Sequence, residues 1–279
     1  MNIVVCVKQV PSTEAQIKID SSGTGIDTSN LTYVVNPYDE FAVEEALRIK
    51  ESLPAISGAG LGGGKVTIIS MGPDRATEAI RSCLAMGADD AVHIKGDFSP
   101  KDVIARGEAP KQSQFEGIDS YTTALILSEA IKRIPYDIIL CGKQAVDDDN
   151  GAVGIELAEL LNIPHVAVIN KLEIDANARK AIAHRQIEGG IEVVECTLPA
   201  AFTCQKGLNE PRYATLPGIM KAKQKPCETI VVGATGRSPL LRLAKLELPP
   251  QRKAGKIIGG EPQEVAKELV RSLREAGVI

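Results

Sequence analysis

The sequence predicts an α/β protein built on a doubly wound, mostly parallel sheet, and three observations carry that reading. From residue 1 to about 170, apolar runs alternate with amphipathic stretches. The apolar runs, such as IVVCV and IILC, are nearly continuous, as strands buried on both faces require. Beyond 170 the pattern shifts to short strands separated by Asn and Gly turns, a sign of antiparallel pairing. At 279 residues, 44% hydrophobic and 24% charged, the chain is long enough to bury a core. Collagen-like, mucin-like and largely disordered classes are excluded by the same composition.

Taken in order, strands are expected at 2–10, 65–71, 89–95, 136–141 and 164–170. Helices are expected between them at 38–53, 74–87, 120–134 and 151–162. The first helix has apolar Phe41, Ala42, Leu47 and Ile49 at helical spacing among Glu44, Glu45 and Arg48. Pro37 and Asp39 mark its start. Residues 54–64 and 96–118 read as surface loops. Short strands follow at 171–175, 181–187 and 191–196, with turns at Asn177 and Gly189-Gly190, and another apolar run spans 199–204. The last third holds a weak strand at 229–232, an extended segment with Pro249-Pro250, and a helix near 262–276. The expected organisation is an α/β core at 1–170 and antiparallel strands with a following polar loop at 171–225. Residues 226–279 form a C-terminal arm that needs another surface to lie on.

Charge and residue chemistry narrow the function. With 32 basic and 36 acidic residues the net charge is −4, so no nucleic-acid partner is expected. No apolar stretch reaches about 18 residues, so no membrane insertion is expected. The first residues read as a strand rather than a signal peptide, which points to the cytoplasm or an organelle matrix. Cys6, Cys83, Cys141, Cys196, Cys204 and Cys227 form no CxxC pair and read as reduced core thiols. His93, His165 and His184 lack metal-ligand spacing, so no zinc or iron–sulfur site is expected.

Two loops carry site chemistry. Gly58-x-Gly60-x-x-Gly63 precedes a strand instead of following one, which is the wrong order for a dinucleotide fingerprint, and it reads as a plain loop. Gly64-Lys65 lacks the Ser or Thr of a phosphate-binding loop. The stretch Gly142, Lys143, Gln144, Ala145, Val146, Asp147, Asp148, Asp149, Asn150, Gly151, Ala152, Val153 is different. It leaves the carboxyl end of a strand and enters a helix, where glycines and first-turn amides can meet a phosphate. Three aspartates would repel an anion unless they face elsewhere, and Asp149 or Asn150 is a candidate helix cap. The second loop is Asn36, Pro37, Tyr38, Asp39. In a chain with four Phe, five Tyr and no Trp, Tyr38 either staples its helix or touches an aromatic cofactor. Leu208, Asn209, Glu210, Pro211, Arg212 and Tyr213 precede a basic run with Lys221, Lys223 and Lys225, and read as an interaction segment or a plain surface loop.

IVVCVKQV, VNPYDEFAVEEALRIKE, RSCLAMGAD, GKQAVDDD, ECTLPA, LNEPRYATLPGIMKAK and PPQRKAG together resemble the β subunit of electron transfer flavoprotein over nearly the whole chain. The resemblance implies an adenine-nucleotide-hydrolase-like fold and a heterodimer whose α subunit holds a redox-active FAD. It implies a second nucleotide in this subunit, AMP in many members and FAD in electron-bifurcating ones. By position, that nucleotide contacts Cys6, Asn36 to Asp39, Met71 and Gly142 to Val153. Leu208 to Tyr213 match the segment that docks acyl-CoA dehydrogenases, and a membrane quinone oxidoreductase is a further expected partner. Val153 stands where AMP-type members show Thr, and VCVKQVP and Tyr38-Asp39 match the bifurcating group. DDDN departs from the bifurcating DGDT, no aromatic stands near Thr13, and Ala201-Phe202 replaces two aliphatics. The balance favours FAD over AMP. No catalytic acid, base or nucleophile is expected, since an electron carrier leaves the chemistry to its flavin. The competing reading is a nucleotide-binding regulatory module of the universal-stress type, which would leave 171–279 without a purpose.

Overall fold

The computed structural model describes residues 1–54, 63–96, 119–232, 244–250 and 255–279. The expected loop at 96–118, apart from Gly96, and most of that at 54–64, with Gly58 and Gly60, lie outside the described residues. The chain divides into two compact units, Met1–Lys245 and Leu246–Ile279. The first is built on a nine-stranded sheet in the order β11-β5-β4-β1-β6-β10-β7-β8-β9. Its strands are β1 (Asn2–Cys6), β4 (Lys65–Met71), β5 (Asp90–Gly96), β6 (Ile138–Gly142), β7 (His165–Asp175), β8 (Lys180–Ile187), β9 (Gly190–Thr197), β10 (Ala200–Cys204) and β11 (Cys227–Val232). Every neighbouring pair from β11 through β7 is parallel, and β8 and β9 join antiparallel at the far edge.

Alternation within the central strands explains the two covered faces. Ile3 and Val5 of β1, with Val66, Ile68, Ile138 and Leu140, pack under α1 (Pro37–Ser52) and α2 (Ala76–Met86). Val4 and Cys6, with Ile69, Ile139 and Cys141, pack under α3 (Ser120–Ile131) and α4 (Val153–Leu161). Since successive side chains of a strand point to opposite faces, both sets must be apolar, and the run reads as continuous. On α1 the buried stripe is Ala42, Val43, Ala46, Leu47 and Ile49; truncating the 2% exposed Leu47 to Ala would cost about 2–5 kcal/mol. The helix ends are chemically marked. Asp119 accepts from Thr122 N at 2.7 Å to open α3, and Asn162, left-handed at φ 53°, closes α4.

Two strand boundaries differ from the expectation. The apolar run 2–10 splits at Lys8. Val7 N still reaches Ile69 O at 2.9 Å, but Lys8 N turns to the Asp39 carboxylate, and Gln9–Pro11 (β2) pairs antiparallel with Tyr33–Val35 (β3) in a separate ribbon. The segment 171–175 continues β7 through an irregularity between Ile169 and Lys171, with Val168 at φ 62°. The weak strand near 229 is the parallel edge strand β11, registered on β5 from Cys227 to Val232. A short helix, α5 (Leu216–Ala222), lies in the proline-rich stretch, capped by Thr215, whose Oγ1 accepts from Gly218 N at 3.2 Å. All six cysteines are free thiols; Cys6, Cys83, Cys141 and Cys204 are buried and Cys196 and Cys227 half-buried. The second unit carries α6 (Pro262–Glu275), none of whose residues is buried.

Candidate functional site

The chain runs from β1 out to β4 and β5, then returns across β1 to add β6 on its other side. That reversal leaves a crevice at the carboxyl ends of β1, β4 and β6, the place where open α/β sheets receive ligands. A cavity of about 190 Å³ occupies it. Of the residues expected to hold a nucleotide, Cys6, Asn36, Asp39, Met71, Gly142, Lys143, Gln144, Ala145, Asp148, Asn150, Gly151, Ala152 and Val153 line this cavity. Pro37, Tyr38, Val146, Asp147 and Asp149 stand outside its lining.

Asp39 and Asn36 hold the cavity together. The Asp39 carboxylate accepts from Lys8 N at 2.7 Å, Gly142 N at 3.1 Å and Asn36 Nδ2 at 2.9 Å. Asn36 Nδ2 also donates to Gln144 O at 2.9 Å, and its Oδ1 accepts from Val146 N at 3.2 Å. Thus the start of α1 pins the end of β1 and the first half of the turn after β6. The side chains of Asn36 and Asp39 are spent on the protein itself, so what they give the cavity is the position of its walls. Burial raises the Asp39 carboxyl to about 7, outweighing the three donors that favour its charged form. Gly142 is required by the same contact: a Cβ there would lie 2.3 Å from Asp39 Oδ1 and 2.8 Å from Tyr38 Cβ. Tyr38 packs beside this turn with Lys143 Nζ 5.0 Å from its ring centre.

Asp147 and Asp149 lie off the cavity lining, and Asp148, which is on it, is paired with a lysine. Lys8 Nζ bonds Asp147 Oδ1 at 2.8 Å and Asp148 Oδ2 at 3.2 Å. Burial lowers the Lys8 ammonium, but these two carboxylates outweigh it and the net shift is upward. Asp149, at φ 52°, accepts from Gln144 Nε2 at 2.6 Å. Neither Asp149 nor Asn150 caps α4, contrary to expectation. The cap position falls on Ala152, two residues beyond Asn150, and no side chain serves it. Ile155 N and Glu156 N both turn to Ala152 O at 3.0 Å, while the preceding first-turn amides have no intrahelical acceptor.

Several lining residues escaped the sequence reading. Lys8 falls inside the strand expected at 2–10, and nothing in its local pattern marks it as a lining residue. Ser120, Thr123 and Leu127 come from α3, whose first turn faces the cavity. Ser120 Oγ donates to Glu156 Oε1 at 3.1 Å and ties α3 to α4. Cys6 and Cys141 are register partners on β1 and β6. Hydrogen bonding to Cys141 and burial push the Cys6 thiol far up, so that wall of the cavity is uncharged.

The segment expected to dock a partner lies along the outer side of α1. Asn209 Nδ2 donates to Phe41 O at 3.0 Å and Glu45 Oε2 at 2.8 Å. Arg212 bonds Glu44 through Nε at 2.8 Å and Glu51 through two nitrogens at 2.5 and 3.0 Å. Pro211 is half-buried and Glu210 exposed, with Glu210 O 3.5 Å from Arg48. Leu208 packs half-buried against the core, while Tyr213 is 95% exposed.

A family model described as the electron transfer flavoprotein domain matches residues 24–109 and 103–235. Relatives match over full length as well. The chain is 39% identical over 285 residues to the electron transfer flavoprotein subunit beta of Bacillus subtilis, covering all of both chains. The chain belongs to the electron transfer flavoprotein family. It is 36% identical over 289 residues to the caffeyl-CoA reductase-Etf complex subunit CarD of Acetobacterium woodii, again covering all of both. The human electron transfer flavoprotein subunit beta is 34% identical over 281 residues, covering 100% of this chain and 99% of its own. These electron transfer flavoprotein relatives span the antiparallel strands and the second unit too, the part that a universal-stress module would leave unused. Among the described residues no helix is long and apolar enough to cross a membrane.

Proposed function

We propose that this chain is the β subunit of a heterodimeric electron transfer flavoprotein and that its own cavity holds a second FAD in preference to AMP. In this reading the α subunit holds the other FAD. The heterodimer carries electrons between flavin dehydrogenases, such as acyl-CoA dehydrogenases, or NADH, and a membrane quinone reductase or ferredoxin. It works in the cytoplasm. The carrying observation is Val153. It opens α4 at the cavity, where Ala152 and Val153 offer main-chain amides and no hydroxyl to close on a terminal phosphate. A dinucleotide's pyrophosphate can continue past a valine.

The residues present fit such a group. At Gly154 a Cβ would lie 2.7 Å from Thr203 Cγ2, so the helix start is already packed as close to the sheet as backbone allows. Lys8 pairs with both Asp147 and Asp148 and offsets one of their two charges, and the amides of the turn add positive potential beside it. Asn36 and Asp39 fix that turn, Met71 and the neutral Cys6 thiol offer apolar wall, and Leu127 closes it from α3. A bound flavin would supply the electron chemistry; the chain would bind it, orient it and set the neutral Cys6 thiol beside it.

The test is flavin stoichiometry of the co-expressed αβ complex, by acid extraction and chromatography with AMP quantified in the same run. Two FAD and little AMP per heterodimer are expected, with NADH oxidation as the next assay. One FAD and one AMP would overturn the reading of Val153 and leave a one-flavin shuttle. No nucleotide at all would overturn the cavity as a nucleotide site.

A further inference from the structure

The residues of the proposed docking segment divide by direction. Arg212 makes five hydrogen bonds to α1: its backbone N to Glu44 Oε2 at 3.2 Å, Nε to the same oxygen at 2.8 Å, Nη2 to Glu44 Oε1 at 3.1 Å, and two more to Glu51. The Glu44 side chain is only 3% exposed, and Arg48 Nε holds its Oε1 from the other side at 2.8 Å. A buried carboxylate satisfied by two guanidinium groups has one good geometry, and a planar fork reaching two carboxylates at once defines it further. Asn209 is drawn inward in the same way, onto Phe41 O and Glu45.

The far end of the segment is held by a second set of cations. Lys225 Nζ caps the last turn of α2 through Leu84 O at 2.9 Å and Ala88 O at 2.5 Å. In return, Arg81 of α2 donates to Ala222 O at 2.6 Å and Lys225 O at 3.0 Å, at the end of α5. Residues 209–225 therefore lie strapped across α1 and α2, with the cations at each strap point turned inward. Facing out between the straps are the apolar Tyr213 at 95% exposure, Leu216 at 79% and Met220 at 73%, beside the exposed cations Lys221 and Lys223.

We propose that the Arg212–Glu44–Glu51 cluster is a positioning latch, which makes no contact with the electron-exchange partner but holds the docking segment in the conformation the partner meets. This rests on the reading of 208–213 as a docking segment. A latched segment has its ordering cost met before encounter, so loosening it weakens association while leaving electron exchange within the docked complex unchanged. Arg212→Lys keeps the charge but loses the fork that spans Glu44 and Glu51.

The experiment uses the co-expressed αβ complex with an acyl-CoA dehydrogenase reduced by its substrate as electron donor, comparing wild type, Arg212→Lys, Glu44→Gln and Tyr213→Ala. For Arg212→Lys and Glu44→Gln the expected result is an apparent KM for the complex raised by about tenfold, with kcat and nucleotide content as in wild type. Both variants should also be cut faster by protease within 206–216. Tyr213→Ala tests the docking reading separately, because its ring is exposed and its loss leaves the latch intact. A raised KM in Tyr213→Ala with wild-type KM in both latch variants would overturn the latch and keep the docking segment. Wild-type KM in all three, or no electron acceptance by the wild-type complex, would overturn the docking reading itself. A fall in kcat or in nucleotide content with unchanged KM would make the cluster a general stability element and overturn the latch.

Discussion

Asp39 concentrates the physics of the site in one side chain. Its ordinary carboxyl value is 3.8, and in the folded chain burial lifts it to about 7. The folded state therefore binds the proton more tightly than the unfolded one, so this group's contribution to stability falls as pH rises between those values. Asp39→Asn removes the titration. Urea unfolding at about pH 5 and about pH 8 should show wild type losing stability relative to the variant as pH rises; a difference independent of pH would refute the shift. The same variant replaces one acceptor with an NH2 group facing main-chain donors, which should lower nucleotide retention. Gly142→Ala drives a Cβ into that carboxylate and the Tyr38 side chain, with an expected loss of roughly 1–3 kcal/mol by chemical denaturation. An unchanged stability would mean that the turn relaxes freely.

At the scale of elements, the site exists because strand ends and helix starts converge. The end of β1 delivers Lys8 to the turn between β6 and α4, and its two ion pairs offset part of the negative charge of that aspartate-rich turn. Lys8→Gln should weaken nucleotide retention by about fivefold at low ionic strength and less at high salt, because exposed charges are screened. Equilibrium dialysis across a salt series measures it, and a salt-independent effect would point to lost packing instead. One helix serves both proposed regions: α1 pins the cavity turn through its first residues and the 208–213 segment through Glu44, Glu45 and Glu51 further along. Most of these elements were legible locally. Helices with period 3.6 and strands with continuous apolar runs announce themselves within about ten residues. The β2–β3 ribbon was not legible, because its three-residue strands carry too little pattern and depend on Lys8 N leaving the main ladder for Asp39.

On the scale of the whole molecule, Met1–Lys245 contains the nine-stranded sheet and both buried clusters. Within the second unit, Lys256 and Arg271 pair with Glu268 at 2.7 Å each, and α6 buries no residue. A chain ending at Lys245 should keep its cooperative thermal transition, with Tm within about 3 °C of the full chain by calorimetry. A broad or absent transition would show that the sheet depends on the last 34 residues.

By itself, the sequence determined the fold class, most elements and the place of the cavity turn, because hydrophobic period and glycine at a strand's end are local signals. It also carried the family, through motifs such as GKQAVDDD and NEPRYATLP. Only the tertiary structure decided how those residues work. The bond from Lys8 N to Asp39 spans 31 residues, that from Gly142 N to Asp39 spans 103, and that from Arg212 to Glu44 spans 168. Whether an aspartate repels a ligand, holds a turn or meets a lysine depends on which distant group the fold sets within 3 Å of it. That distance follows from strand order and helix packing, which local propensity does not encode.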